Sequence, residues 1–236
     1  MRLWLGILGL VVAIVLSTSL VVYPPPTRIV FDISWPNCAT TTVSPRGEPG
    51  IVGINGGLAF RPNPCLAKEA GEFKQLDVYL NTGYPGGQRA LAFKNAPKHC
   101  LTGDNQCLAY NYGFTAAKYD IKYAALRGVV AKYWWLDVET ENSWSDSTLV
   151  NRAALGGMLD ALAPYAGKAN LGFYSFPGQW DLLTGKWRNG YPAWAATGTA
   201  TLSVAQKACQ TPSFTGGPVV FGQFTTALDT NWLCAN

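Results

Sequence analysis

Along most of the chain, short runs that are apolar on both sides alternate with longer stretches of helical apolar spacing. Strands are predicted over Arg28–Ser34, Ile51–Asn55, Leu76–Asn81, Lys132–Val138, Asn170–Ser175, Ala193–Ala195 and Val219–Thr225. Runs such as Ile29-Val30-Phe31 and Tyr133-Trp134-Trp135-Leu136 leave little polar face. That suits a parallel sheet covered on both sides rather than a half-solvated antiparallel one. Helices are predicted over Pro64–Phe73, Thr115–Arg127 and Ser147–Tyr165. In the last, Leu149, Ala153, Leu155, Met158, Leu159 and Leu162 share one broad face. Gly128 is a natural stop for the second. The alternation predicts an α/β fold, and the number of repeats fits a TIM-type (β/α) barrel of near-minimal size, with a doubly wound sheet as the rival. The final strands follow one another with little helix between them, so the barrel is expected to be irregular there.

One segment falls outside this pattern. Leu3–Val22 is an apolar run of 20 residues, preceded by Arg2 and followed by Pro24-Pro25-Pro26. A positive start, an apolar middle and a breaker mark a signal peptide or a signal-anchor helix over residues 1–22, with a Pro-rich tether over 23–27. The run is long enough to span a bilayer, which favours an uncleaved anchor with its N-terminus in the cytoplasm. Ser17 and Ser19, small residues at a signal-peptidase spacing, keep cleavage and secretion as the alternative. Either way residues 28–236, 209 in all, form one domain outside the cytoplasm.

The cysteines agree with export. Cys38, Cys65, Cys100, Cys107, Cys209 and Cys234 are even in number and contain no CxxC pair. Disulfides are therefore expected, and zinc is a poor reading because His99 is the sole histidine. Six cysteines allow 15 pairings, among which sequence does not choose. Their positions in loops suggest Cys38–Cys65, Cys100–Cys107 and Cys209–Cys234, the last pinning the C-terminus.

Charge narrows the function classes. Lys+Arg number 18 against 14 Asp+Glu, and without Arg2 the excess is three. So weak an excess argues against a nucleic-acid binder. With 9 Trp, 11 Tyr and 10 Phe, the chain has ample apolar surface for a core. No G-x-S-x-G elbow and no G-x-G-x-x-G loop occur, and His99, between Lys98 and Cys100, reads as a surface residue.

Carboxylates carry the chemistry instead. Asp137-Val138-Glu139 ends an apolar strand, and residues i and i+2 of a strand point to one face about 6.6 Å apart. At the C-terminal end of a barrel strand that face is the catalytic one. Paired acids suit glycoside cleavage, one protonating the leaving oxygen while another stabilises the cationic centre. A bare D-x-E also occurs as an ordinary loop entry. Asp32 lies inside an apolar strand, where a charge needs a partner or a function. Asp229 follows the strand carrying Gln223, and because a closed barrel makes its first and last strands neighbours, Asp32 and Asp229 are expected to converge. Tyr84, Tyr112, Trp144, Tyr174, Trp180 and Trp194 lie near predicted strand ends or the loops that follow, where rings stack on sugars or fill core.

These pieces carry a resemblance. FDISWPNC, IVGINGG with NPCLA, YLNTGYPGG, AYNYGF, YWWLDVETENSW, GFYSFPGQW, YPAWAA and GQF…LDTNWLC run in order through nearly all of residues 28–236. Together they resemble the glycoside hydrolase family 25 lysozymes, and more closely the exported glycoside hydrolase-like (DUF1906-type) domains of actinobacteria. The resemblance implies an irregular (β/α) barrel that cleaves the β-1,4 bond between N-acetylmuramic acid and N-acetylglucosamine in peptidoglycan. It places Asp32, Asp137, Glu139 and Asp229 at the family's four carboxylate positions. Glu139 would be the general acid, Asp137 would orient the substrate acetamido group or stabilise a charged intermediate, and Asp32 and Asp229 would hold substrate. A substrate-assisted retaining route is implied. Tyr84, Tyr112, Tyr174, Trp194 and Gln223 are the expected substrate-binding residues. Three stretches depart from the pattern. Trp35-Pro36-Asn37-Cys38 replaces Trp-Gln, Gly222-Gln223-Phe224 follows Trp-Gln-Tyr loosely, and Asn81-Thr82-Gly83-Tyr84 replaces Tyr-His-Phe. They touch substrate walls more than carboxylates. The expected partner is cell-wall polysaccharide, with the membrane added if the leader stays uncleaved, and no cofactor or metal is implied. A monomer is the default. A barrel that binds wall glycan without cutting it is the alternative to the enzyme.

Overall fold

The structure, a computed structural model, describes residues 28–39, 48–199 and 201–234. The leader and tether expected over 1–27 lie outside the described residues. Among the described residues no helix is long and apolar enough to cross a membrane.

Eight strands close into a barrel in chain order: β1 (Ile29–Ile33), β2 (Pro49–Gly53), β3 (Gln75–Asn81), β4 (Trp134–Asp137), β5 (Leu171–Ser175), β6 (Ala193–Ala196), β7 (Val219–Thr225) and β8 (Asp229–Leu233). Neighbours from β1 to β7 pair in parallel. β8 runs antiparallel to both β7 and β1 and so closes the ring. The TIM-type reading holds, with its irregularity where the last strands follow one another and at a register shift between Ala193 and Trp194. β8 itself went unread: the sequence placed Asp229 after the final strand, whereas it begins one.

Period two explains the double-sided apolar runs. Val30, Ile51, Trp135, Trp194 and Phe221 fill the barrel interior. The alternate residues, among them Val52, Val78, Trp134, Leu136 and Phe173, face outward into the layer between sheet and helices. Trp134 and Trp135 are therefore both fully buried, on opposite sides of one strand.

The outer helices are α1 (Leu66–Ala70), α2 (Gly87–Leu91), α3 (Asn105–Leu126), α4 (Thr148–Ala166), α5 (Pro177–Thr184) and α6 (Leu202–Ala208). Of these, α3 begins ten residues before its predicted start. Asp104 caps it by accepting the Cys107 N–H at 3.0 Å, and Gly113 within the extension looks unlike a helix former. That glycine has a packing role, because a Cβ there would strike the Ala154 backbone of α4. Gly128, at φ 69°, ends α3 as expected. The short helices α2, α5 and α6 span too few turns to show a period in sequence.

The cysteines pair as Cys38–Cys65, Cys100–Cys107 and Cys209–Cys234. These are the pairs their loop positions suggest. The first ties the turn after β1 to the start of α1, the second fastens the first turn of α3, and the third locks α6 to the end of β8. His99 is exposed.

Candidate active site

Interior-facing residues at the C-terminal ends of the parallel strands line one cavity of about 120 Å³. β1 supplies Asp32, β3 supplies Tyr79 and Asn81, and β4 supplies Asp137 with Glu139 two residues on. Tyr174, Trp194 and Gln223 come from β5, β6 and β7. Because β8 is antiparallel, its first residue, Asp229, reaches the same mouth as the last residues of the others. Asp229 lies in register with Asp32. All four carboxylates named from sequence thus meet, together with Tyr174, Trp194 and Gln223.

Amides hold this cluster in place. Asp32 Oδ2 accepts from Asn231 Nδ2 at 2.7 Å and from Gln223 Nε2 at 3.2 Å. The Gln223 carbonyl oxygen accepts from the Tyr174 hydroxyl at 2.7 Å, and Asn231 Oδ1 accepts from Trp194 Nε1 at 2.7 Å. Asp137 Oδ2 accepts from Asn81 Nδ2. Asn81 is itself clamped through its backbone, its N–H donating to Asn55 Oδ1 and its carbonyl accepting from Asn55 Nδ2, both at 3.0 Å. Asn55 Nδ2 also donates to Asp120 Oδ2 at 3.3 Å, inside α3. A polar chain therefore runs from a buried helix carboxyl to the site. Asn55, Asn81, Asp120, Asn231 and Tyr79 went unassigned as site residues, because single amides and tyrosines in apolar segments carry no spacing signature.

Burial, reinforced by crowding, raises Asp32, Asp137 and Glu139. Burial, then the facing Asp229 charge, lifts Asp32 from 3.8 to about 7. Burial and the adjoining Glu139 hold Asp137 well above the usual range. Glu139, half-buried at the rim, is raised by burial and by Glu141, with the hydrogen bond from Asp137 in opposition. Asp137 Oδ1 is buried and receives no amide or hydroxyl hydrogen bond. A single proton between the Asp137 and Glu139 carboxyls satisfies both, and such a pair titrates as a unit. The deeper acid is fixed by Asn81, while the outer one faces the cavity, an arrangement able to donate a proton to a ligand and take one back. Among the described residues, no group of three or more His, Cys, Asp or Glu is arranged to hold a metal ion.

Other aromatic candidates lie elsewhere. Tyr112 is buried among Phe60, Tyr84 and Phe93, its ring 5.7 Å from that of Tyr84, and fills the core beneath the loops. Trp180 is core as well, 4.9 Å from Phe173 and bonded through Nε1 to the Trp187 carbonyl. Tyr84 and Trp144 border a separate cleft beside the carboxylates.

Known structures share this architecture. A muramidase from Trichobolus zukalii matches with a TM-score of 0.50 at 14% identity, over 89% of this chain and 95% of that one. GHIP, a glycosyl hydrolase 25 of Streptococcus pneumoniae participating in host cell invasion, gives a TM-score of 0.54 at 15% identity, over 87% and 86%. The chain has the glycoside hydrolase 25 fold. The modular autolysin LytC of Streptococcus pneumoniae, solved with a synthetic peptidoglycan ligand, gives 0.52 at 14% identity over 86% of this chain. The match covers 46% of LytC, so the chain spans less than half of that protein. No protein-family model and no curated protein matches the sequence. At these identities the likeness concerns fold, and the chemistry rests on the residues above.

Proposed function

We propose that the chain is an exported glycoside hydrolase that cleaves β-1,4 bonds of peptidoglycan or a related cell-wall polysaccharide by carboxylate acid/base catalysis. The convergence of Asp32, Asp137, Glu139 and Asp229 at one barrel mouth carries this reading. The shared fold with a muramidase and with an autolysin solved on a peptidoglycan ligand supports it.

Glu139 protonates the leaving oxygen, since it sits at the rim with its proton affinity raised. Asp137, held by Asn81, orients the acetamido group whose carbonyl oxygen attacks the anomeric carbon in a substrate-assisted retaining route. Asp32 and Asp229 hold the sugar, and Tyr174, Trp194 and Gln223 form the wall. Three disulfides fit an oxidising compartment, to which the apolar leader delivers the barrel, anchored or secreted, as a monomer.

The test is incubation of the purified domain with peptidoglycans of several chemistries and mass spectrometry of new reducing ends. Glu139→Gln should lower release by about 10²- to 10⁴-fold. Equal release from both proteins would remove Glu139 as the acid. Saturable binding without release from any substrate would replace the enzyme with a glycan-binding barrel.

A further inference from the structure

The two ends of the barrel carry opposite charge. At the mouth, Asp104, Glu141 and Asp146 stand exposed on the surrounding loops in addition to the four carboxylates of the cavity. The opposite end, where the parallel strands begin and the outer helices finish, is basic. Arg28, Lys74, Lys132 and Lys168 lie just before β1, β3, β4 and β5, Arg127 caps the end of α3, and Lys186 lies between α5 and β6. All six are exposed. Arg188, in the same turn as Lys186, is neutralised by Asp181 at 3.2 Å. The acids at this end are withdrawn: Glu48 and Glu72 are half-buried, and Asp77 accepts the Tyr133 N–H at 3.2 Å.

Apolar and aromatic groups are set among these cations. Arg28 lies 5.7 Å from the centre of the Trp232 ring, Arg127 5.1 Å from Tyr123, Lys132 5.1 Å from Tyr133 and Lys168 5.7 Å from Tyr191. In the same turns Leu126, Val130 and Tyr165 stand in solvent, at 73%, 85% and 49% exposure. Positive side chains are common where helices end, because they complement the helix dipole. That accounts for Arg127, but it does not account for bare Leu126 and Val130 beside it. A lipid surface answers both features, offering phosphates to the cations and an apolar boundary to leucine, valine and tyrosine. A nucleic acid or another soluble polyanion would use the charge and leave Leu126 and Val130 in water.

The course of the chain agrees. β1 starts at the basic end, directly after Arg28. In the sequence only residues 23–27 separate Arg28 from the apolar run over 3–22. Five residues of extended Pro-rich chain cover about 15 Å. A bilayer holding that run would lie within about two Debye lengths of the basic end at physiological salt.

We propose that the basic end of the barrel docks onto an anionic phospholipid surface, with the carboxylate mouth turned away from the lipid. The cations meet the headgroup phosphates, and Leu126, Val130 and Tyr165 enter the boundary beneath them. This surface belongs to the folded domain and is distinct from the apolar leader, which would tether the barrel without orienting it.

The experiment places the full chain in nanodiscs of phosphatidylcholine, alone or mixed with phosphatidylglycerol, and follows backbone hydrogen exchange by mass spectrometry. Residues 126–132 should exchange at least about tenfold more slowly in the anionic discs, since each cation near such a surface contributes a factor of about five. High salt should remove the difference, and residues 141–146 at the mouth should exchange alike in both discs. Arg127→Glu combined with Lys132→Glu, both at exposed positions, should abolish the protection, with thermal unfolding to check that the barrel is intact. The lipid and salt comparison on the unaltered chain decides the matter even if that variant does not fold. Equal protection in both discs would assign it to the tether and overturn the docking, as would no protection in either. Protection at 141–146 instead would reverse the orientation and overturn it too. Protection without discs that grows with protein concentration would give the basic end to the acidic mouth of a second copy and remove lipid as the partner. Each of these outcomes leaves the proposed glycan chemistry standing.

Discussion

Exchanging Asp120 for asparagine removes a carboxyl that α3 carries into the interior behind the carboxylate mouth. Asp120 is fully buried, takes a hydrogen bond from Asn55 at 3.3 Å, and has its Oδ1 buried without a partner. Burial lifts its pKa from 3.8 to about 8, and the Asn55 hydrogen bond offsets part of that rise. Between those values the folded protein keeps a proton that the unfolded chain has released. Stability from this group is therefore complete below the lower value and is lost as pH rises toward the upper one. The loss is about 1.4 kcal/mol per pH unit, so about 3 kcal/mol between about pH 5 and about pH 7. Asparagine can still accept from Asn55, but it sets an unpaired N–H₂ where the orphan oxygen stood, at a cost of about 1–3 kcal/mol. Asp120→Asn should therefore gain about 3 kcal/mol on the parent protein between about pH 5 and about pH 7. Urea unfolding of both proteins at the two pH values, disulfides intact, measures this. The difference between them cancels the other raised carboxyls, Asp32 at about 7 and Asp77 at about 6. Stability curves that stay parallel from pH 5 to pH 7 would refute the burial account of Asp120.

Other outcomes follow from the site and its fastenings. Glycan release should be high on the acid side and fall as pH rises through the raised pKa of the Asp137–Glu139 pair, since the proton donor is then lost; a rate that climbs steadily with pH would contradict this. Tyr174→Phe removes the 2.7 Å hydrogen bond that orients Gln223 toward Asp32 and should slow release about tenfold with little change in urea midpoint. Converting Cys209 and Cys234 together to serine opens a loop of sequence separation 25 and should lower stability by about 3 kcal/mol in thermal or urea unfolding; an unchanged midpoint would show that β8 is held without the bridge.

How far the sequence could be read depended on what each segment buries. β4 was legible because both its faces are dry, Trp134 toward the helices and Trp135 toward the barrel axis, and such a run admits few other structures. Asp32 was legible for the converse reason, as a charge where the pattern demands an apolar residue. β8 was not legible, because its inward residues, Asp229 and Asn231, face a polar mouth and cancel the alternation that would mark a strand. The start of α3 was hidden by Gly113, whose value lies in its contact with Ala154 of α4, distant in sequence but adjacent in space. Asn55 and Asp120 fall outside local pattern altogether, since each is explained by a partner on another element. Tyr112, chosen for its place near a predicted strand end, turned out to lie in an extended α3 and to face the core.

The antiparallel course of β8 has a chemical consequence. Asp32 and Asp229 are directly opposite in register, yet they come from different environments. Asp32 ends a strand inside the barrel and is buried under Gln223 and Asn231, whereas Asp229 opens a strand at the exposed rim, bonded by Thr225 Oγ1 at 3.1 Å. In a parallel strand, the first residue would sit at the far end of the barrel and this facing pair would not exist. Burial, and after it the facing Asp229 charge, raises Asp32 to about 7, so near neutral pH it can exchange its proton, and the Asp137–Glu139 pair is shifted in the same direction. A mouth with two raised proton sites, on β1 and at the end of β4, gathers less negative charge than four free carboxylates would. Closing the barrel with a reversed strand therefore adds to the upward shift that burial imposes on Asp32, as well as giving the site its shape.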